Sequence, residues 1–525
     1  MRMGDALQGD VPIGELPEGT QEAVVRHHLR GSRPEAALQD GALEKVVAQC
    51  LGRAAIAADL CTRALEIEGL LTGIERANIL LRLCQELEVL GKFEAKAPAL
   101  EEASALSTEA NDDTLAARVG IATSVHALSM GAYPHALKQI EESRDAAEAA
   151  GDERILLFHD MVFGLVLGRS GRQEESIAVF EAGRRRAENL EDEVLLGRLL
   201  NNQALVLSGL GSTERSLALF EESLRIGQRQ GDLRAQSHGH GNVGMALIQL
   251  GRHEEARPHL EAQRELAILC GEPRSESYAL TGLASVLAAQ GRLTEAIAMR
   301  RRRGELSERI GDRYGVVVNR LSLGQLLIDI GDLEGARTEF AGLVERAFEM
   351  GKPDLASILL ATRARCALAA DDWDTAERFV REAAEAAEKS NATDARIAAS
   401  TCAAEYHTQR GDPAAALAAL QPALAELDKV QTPELVVPVR VRDALLRGDY
   451  ETAMAVYSEA EPSLEPTRRL ELLWTRYQAT GEREPLEAAH AILQELLERV
   501  PADQRDAMRA VSWHRGALEA YAELP

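Results

Sequence analysis

The sequence predicts an all-α fold, a superhelical solenoid of antiparallel helix pairs. Three observations lead there. Glycine returns in steps of 40 residues, at Gly91, Gly131, Gly171, Gly211, Gly251, Gly291, Gly331 and Gly411, with Asp371 in the one skipped place. A second set of turn formers stands halfway between, at Gly151, Gly231, Gly271, Gly311 and Gly351, with Asn111, Glu191 and Asn391 filling the other places. The segments between turns carry apolar residues at helical spacing. Aromatics are 4 % of the 525 residues against 46 % hydrophobics, which suits helices packed through Ala and Leu and disfavours sandwiches and barrels. Two turns per step leave room for one helix–turn–helix pair, and stacked pairs bury a core that none could form alone.

Taken in order, residues 1–20 hold two prolines, four glycines and few apolar residues, and read as a flexible lead. Residues 21–36 read as a capping helix, and 41–68 as an off-phase first repeat with Gly52, Ala57 and Ala64 in its small places. The solenoid then runs to about 430. One place in each first helix is small: Cys84, Ser124, Gly164, Ala204, Gly244, Ala284, Gly324, Ala364 and Ala404. The matching place in each second helix holds Ala136, Ser176, Ser216, Ala256, Ala296, Ala336, Ala376 and Ala416, whereas Lys96 stands there in one repeat. Short side chains on both helices allow a close crossing. One turn later a large residue fills the gap, at Leu100, Ile140, Phe180, Phe220, Leu260, Phe340, Val380 and Leu420, with Arg300 interrupting the series. Asp152, Asp232 and Asp312 suit helix starts, and Pro273, Pro353 and Pro413 fit first helical turns. Beyond 430 the phase slips, since Gly448 follows Gly411 by 37 residues. Residues 431–525 read as degenerate helical repeats and a C-terminal cap, with helices near 466–479, 484–499 and 502–521. In such an array each pair is expected to touch only its neighbours.

Charge and motifs narrow the function. The net charge of −25 makes a phosphate-backbone partner a poor fit, so no nucleic acid is expected. Six scattered cysteines without C-x-x-C spacing suit a reducing compartment. The first twenty residues lack a signal-peptide core, and no 18-residue apolar run is present, so a cytoplasmic chain with no membrane partner is expected. Phosphate-loop, H-E-x-x-H and G-x-S-x-G strings are absent. The glycines of HGHGNVG fall inside a predicted helix, not after a strand. His238 and His240, two apart on that helix, point to different sides, as do the adjacent His27 and His28. No catalytic residue, metal or cofactor is expected.

Strings such as Gly244…Gly251…Ala256 and Ala284…Gly291…Ala296 resemble the tetratricopeptide repeat family. The 40-residue step resembles its extended subclass, as in kinesin light chains, spindle-orientation adaptors and bacterial peptide-pheromone receptors. That resemblance covers about residues 35–460 and implies a right-handed superhelix. More loosely, HHLRGSRPEAAL, the repeats and LLERVPADQRDAM resemble the sensor arm of bacterial signalling ATPases, adenylate cyclases and Ser/Thr kinases, although nothing matches their nucleotide-binding half.

First helices of such arrays line the inner side. Counting two residues back from the small place gives Asn202 and Asn242, which the resemblance implies would clamp the backbone of a bound peptide. A carboxamide offers both donor and acceptor, whatever the peptide's side chains. One turn before lie Arg198 and His238, in a row that Tyr278 continues and Arg118 precedes by two units. One turn after lie Leu205 and Met245, suited to apolar ligand side chains. A row of Arg, Arg, His and Tyr in an acidic chain suggests a ligand bearing a carboxylate. The runs Arg184–Arg186 and Arg300–Arg303 lie on second helices and read as solvated faces balanced by glutamates, with docking of an acidic partner as the alternative. The sequence thus favours a non-enzymatic scaffold or sensor that binds an extended segment of a partner protein in a bacterial signalling or defence complex. A receptor for a small signalling peptide and an enzyme hidden in the C-terminal helices are the alternatives. Sequence does not set the oligomeric state.

Overall fold

A computed structural model describes residues 18–524 apart from 32–33, 50–53, 391 and 431–432. The predicted lead therefore lies outside the described residues up to position 17, as do Gly52 and Asn391. Among the described residues every regular element is helical. The chain opens on the helix Glu18–Arg30, already formed at residues assigned above to the lead.

Turns recur where the glycines do, and for a conformational reason. The glycines of the 40-residue step have φ between 68° and 82°, and Asn111, Glu191 and Asp371 share the left-handed region at 48°, 53° and 55°. A residue held there lets the next N–H reach back to a carbonyl of the preceding helix, as Arg172 does to Leu167 at 2.9 Å. Where an aspartate follows the turn residue, it caps the new helix. Asp152, Asp232 and Asp312 accept from the backbone N–H groups of Arg154, Ala235 and Gly315 at 2.8, 3.0 and 2.9 Å.

The small residues face inward. Ala204, Ala256, Ala296, Ala336, Ala376, Ala404 and Ala416 are wholly buried. Where the small residue is Gly324, a Cβ would collide with the ring of the buried Phe340. Replacing Ala296 with leucine should overpack one crossing and cost about 1–3 kcal/mol. A thermal melt of the purified variant should show that loss, and an unchanged melting temperature would mean the register is misassigned. Several places depart from the pattern. Val380 is half-buried, and its neighbour Phe379 takes the inward place. Lys96 is buried with its Nζ on Glu88. The second helix after Gly331 breaks into Leu333–Phe340 and Leu343–Glu349, because Gly342 adopts a φ of 70°.

The chain divides into two compact units, residues 1–246 with 261–276 and residues 247–260 with 277–525. In the first, Arg274 lies 4.8 Å over the ring of Phe93 and packs on the turn at Gly91, where a Cβ would come within 2.8 Å of its Nη1. In the second, the helices Pro466–Thr480, Arg483–Arg499, Arg505–Ala510 and Ser512–Ala522 fold back along the turns of earlier pairs. Arg499 donates to the Gln290 carbonyl, the backbone of Ala507 abuts Gly331, and Arg515 pairs with Asp371 at 2.6 Å. Leu470, Leu493, Leu496, Met508 and Val511 share one core with Leu287, Leu326 and Ile330. The expectation of contacts between neighbours alone is therefore corrected. Both units hold packed contacts between residues more than a hundred positions apart.

Candidate binding groove

Four first helices of the first unit, Gly73–Val89, Asp113–Ser129, Glu153–Arg169 and Glu193–Gly209, present side chains to one cavity of about 710 Å³. The 40-residue period places its wall. Leu81 and Ile121 share one row, Gln85 and Val125 another, and Arg118 and Phe158 a third; Ile155 and Leu195 complete the apolar surface. Three cations stand in or beside it. Lys96 is held by Glu88, and Arg154 by Asp192 at 3.1 Å. Arg118 donates to the neutral Oδ1 of Asn78 at 2.7 Å and has no carboxylate partner among the described residues. Cys84 also lines the wall, and burial pushes its thiol up to about 11, so it stays protonated and unreactive near neutrality.

The sequence-derived residues fall into separate groups. Arg118 belongs to the cavity. Asn242 Nδ2 donates to Asn201 Oδ1 at 2.7 Å, and Asn201 Nδ2 lies 3.5 Å from Asn202 Oδ1. The two expected asparagines are thus linked through a third that spacing alone passes over. Arg198 is exposed with no ion-pair partner among the described residues, Leu205 is half-buried, and Met245 is exposed. His238 is exposed on one side, but its Nε2 meets Glu272 at 3.2 Å. Burial would raise the Glu272 carboxyl, yet hydrogen bonding from His238 and the nearby Arg234 hold it below the usual carboxylate range. Tyr278 is exposed and belongs to the second unit. Phe158 was missed although it fills the row between Arg118 and Arg198 at the same 40-residue step. Ile121 and Val125 were missed because apolar residues on a helix give no signal separating groove from core.

The arginine runs behave differently from each other. Arg184 pairs with Glu188 at 2.9 Å and Glu222 at 3.5 Å, and Arg186 with Glu153 and Asp160, as a balanced solvated face would. In the second run, Arg301 and Arg302 are exposed, but Arg303 is buried and donates to the Gly315 carbonyl at 3.3 Å. Burial pushes the Arg300 guanidinium down to about 10. Among the described residues there is no group of three or more His, Cys, Asp or Glu side chains able to hold a metal ion, and no helix long and apolar enough to cross a membrane.

Residues 233–303 match the tetratricopeptide repeat family. A second stretch, 398–422, matches another model of the tetratricopeptide repeat. No curated protein matches the chain. Among solved structures, a Rap protein complexed with competence and sporulation factor aligns at 15 % identity and a TM-score of 0.43, covering 77 % of this chain and 99 % of that one. A signal-transduction ATPase with a tetratricopeptide repeat sensor from Pyrococcus horikoshii aligns at 12 % identity and 0.44, covering 85 % and 73 %. Yeast Tom70 aligns at 13 % identity and 0.37, covering 91 % and 97 %.

Proposed function

We propose that this tetratricopeptide-like chain is a non-enzymatic interaction scaffold that captures a segment of a partner protein extended along its first-helix faces. The observation that carries this is the apolar cavity across four successive first helices, with an unmatched guanidinium in its wall. Desolvating leucine- or phenylalanine-sized side chains there would supply affinity, and Arg118 would favour an acidic group. The segment would continue over the helices Glu193–Gly209 and Leu233–Gln249, where the linked carboxamides of Asn201, Asn202 and Asn242 can bond a peptide backbone. We place the chain in the extended tetratricopeptide subclass on its 40-residue period, and we favour a signalling role in the cytoplasm of a bacterium.

A photo-crosslinking amino acid tests this reading directly. Placed at Ala122 in the cavity, it should trap a defined partner segment, which mass spectrometry of the adduct would locate; placed at Ala182, exposed on a second helix, it should not. Val125→Glu, which sets a charge in the apolar wall, should reduce the Ala122 adduct at least about tenfold, the equivalent of 1.4 kcal/mol. Equal trapping at both positions would overturn the groove as the binding surface.

A further inference from the structure

The second unit shows what a first-helix face of this array can hold. Six residues before the turns at Asp371, Gly411 and Gly448 stand Arg365, Glu405 and Arg442, the same place on three successive first helices. The two arginines converge on one side chain of the folded-back helix Pro466–Thr480. Arg365 Nη2 donates to Glu471 Oε2 at 2.9 Å and Arg442 Nη2 to Glu471 Oε1 at 2.5 Å. Glu405 stands 3.5 Å from Arg365 and 3.9 Å from Arg442. Leu470, Leu472 and Leu473, on either side of Glu471, are 0 %, 1 % and 6 % exposed. A helix reading Leu-Glu-Leu-Leu is therefore seated against this row, with its carboxylate paired and its leucines out of water.

The same row in the first unit contains Gln85 and Val125, six residues before Gly91 and Gly131, and there it walls the solvent-open cavity. That cavity also combines an apolar wall with an arginine, although Arg118 comes from a neighbouring row, seven residues before Val125; it donates to the neutral Asn78 and has no carboxylate partner among the described residues. A carboxylate arriving there gains a charge-assisted bond to a half-buried guanidinium, while flanking apolar groups leave water. Resting on the reading above, we propose that the part of the partner segment lying in this cavity is a short amphipathic helix, with leucine-sized side chains on both sides of one carboxylate that pairs with Arg118.

The probe is a fluorescein-labelled peptide with the sequence of residues 466–480, added to the full chain, whose own copy of that helix occupies the second unit. Fluorescence anisotropy should show saturable binding. Peptides carrying Glu471→Gln or the helix-breaking Leu472→Pro should each bind about tenfold more weakly, about 1.4 kcal/mol. In the full chain, Arg118→Ala, with folding checked by circular dichroism, should weaken the parent peptide by a similar factor and abolish its preference over the Gln peptide. Equal binding of the Pro and parent peptides would overturn the helical occupant. Binding indifferent to Arg118→Ala would overturn the assigned contact. If no peptide binds while Ala122 still traps a partner, the occupant's chemistry is wrong and the groove reading stands. If Ala122 traps nothing, both fail together.

Discussion

Replacing Glu471 with alanine is expected to destabilise the second unit by about 3–5 kcal/mol, the usual cost of stranding buried charge by removing its partner. Glu471 is 5 % exposed and accepts from Arg365, Arg442 and Arg468. Burial alone would raise its carboxyl, but the three guanidiniums hold it at about 2. Alanine would leave Arg442, 3 % exposed, with Glu405 at 3.9 Å as its remaining ion-pair partner among the described residues. Urea unfolding monitored by circular dichroism should show the loss. Combining Glu471→Met with Arg442→Met should recover much of it, since a matched apolar pair avoids desolvating either charge. A Glu471→Ala variant within 1 kcal/mol of the parent would show that these helices are held by their leucines alone.

The second large effect is acid lability centred on His514. This histidine is 1 % exposed and its Nδ1 contacts the Met508 carbonyl at 2.8 Å. Burial pushes its imidazole from 6.5 down to about 4. A depressed folded value means that the neutral ring's contribution is complete above pH 6.5 and is lost as pH falls from 6.5 towards 4, a change of about 3 kcal/mol. Glu471 adds a lower window, from its ordinary 4.5 down to about 2. Asp329 works in the opposite direction. Burial raises its carboxyl to about 6, so its cost is relieved as pH falls from 6 towards 3.8. The informative quantity is therefore the difference between the parent and His514→Gln. Between pH 6.5 and 4 the parent should lose about 3 kcal/mol more than the variant in denaturant titrations. Parallel pH profiles would show that the ring is protonated within the folded chain.

The helical pairs were legible because their cause is local and periodic. A left-handed turn at Gly171 or Gly251 and a close crossing at Ala296 each impose a residue type at a fixed step, and the step survives in the bare sequence. The fold-back of residues 466–522 has no such trace. Arg499 meets Gln290 across 209 positions, and Arg365 meets Glu471 across 106, as single unrepeated pairings. The groove was partly legible. Arg118 stands out in its row by its charge, whereas Phe158 in the next place of that row is apolar, and an apolar residue on a helix carries no mark that separates groove from core. Asn201 stands one residue outside the row of Asn202 and Asn242, and the reach of its carboxamide to Asn242 depends on side-chain geometry that the spacing does not encode. Arg303 read as solvated because its neighbours are, whereas its side chain turns inward to the Gly315 carbonyl.

The contact between Arg274 and the Gly91–Phe93 turn bears on how such a chain can change length over evolution. Linear arrays grow or shrink by duplicating or losing a module, because every junction is alike. Here, inserting one module anywhere between Gly91 and Arg274 would carry the guanidinium away from its ring, so the number of modules in that stretch is fixed by geometry. Relatives that keep this contact should vary in loops and tails while holding that interval constant.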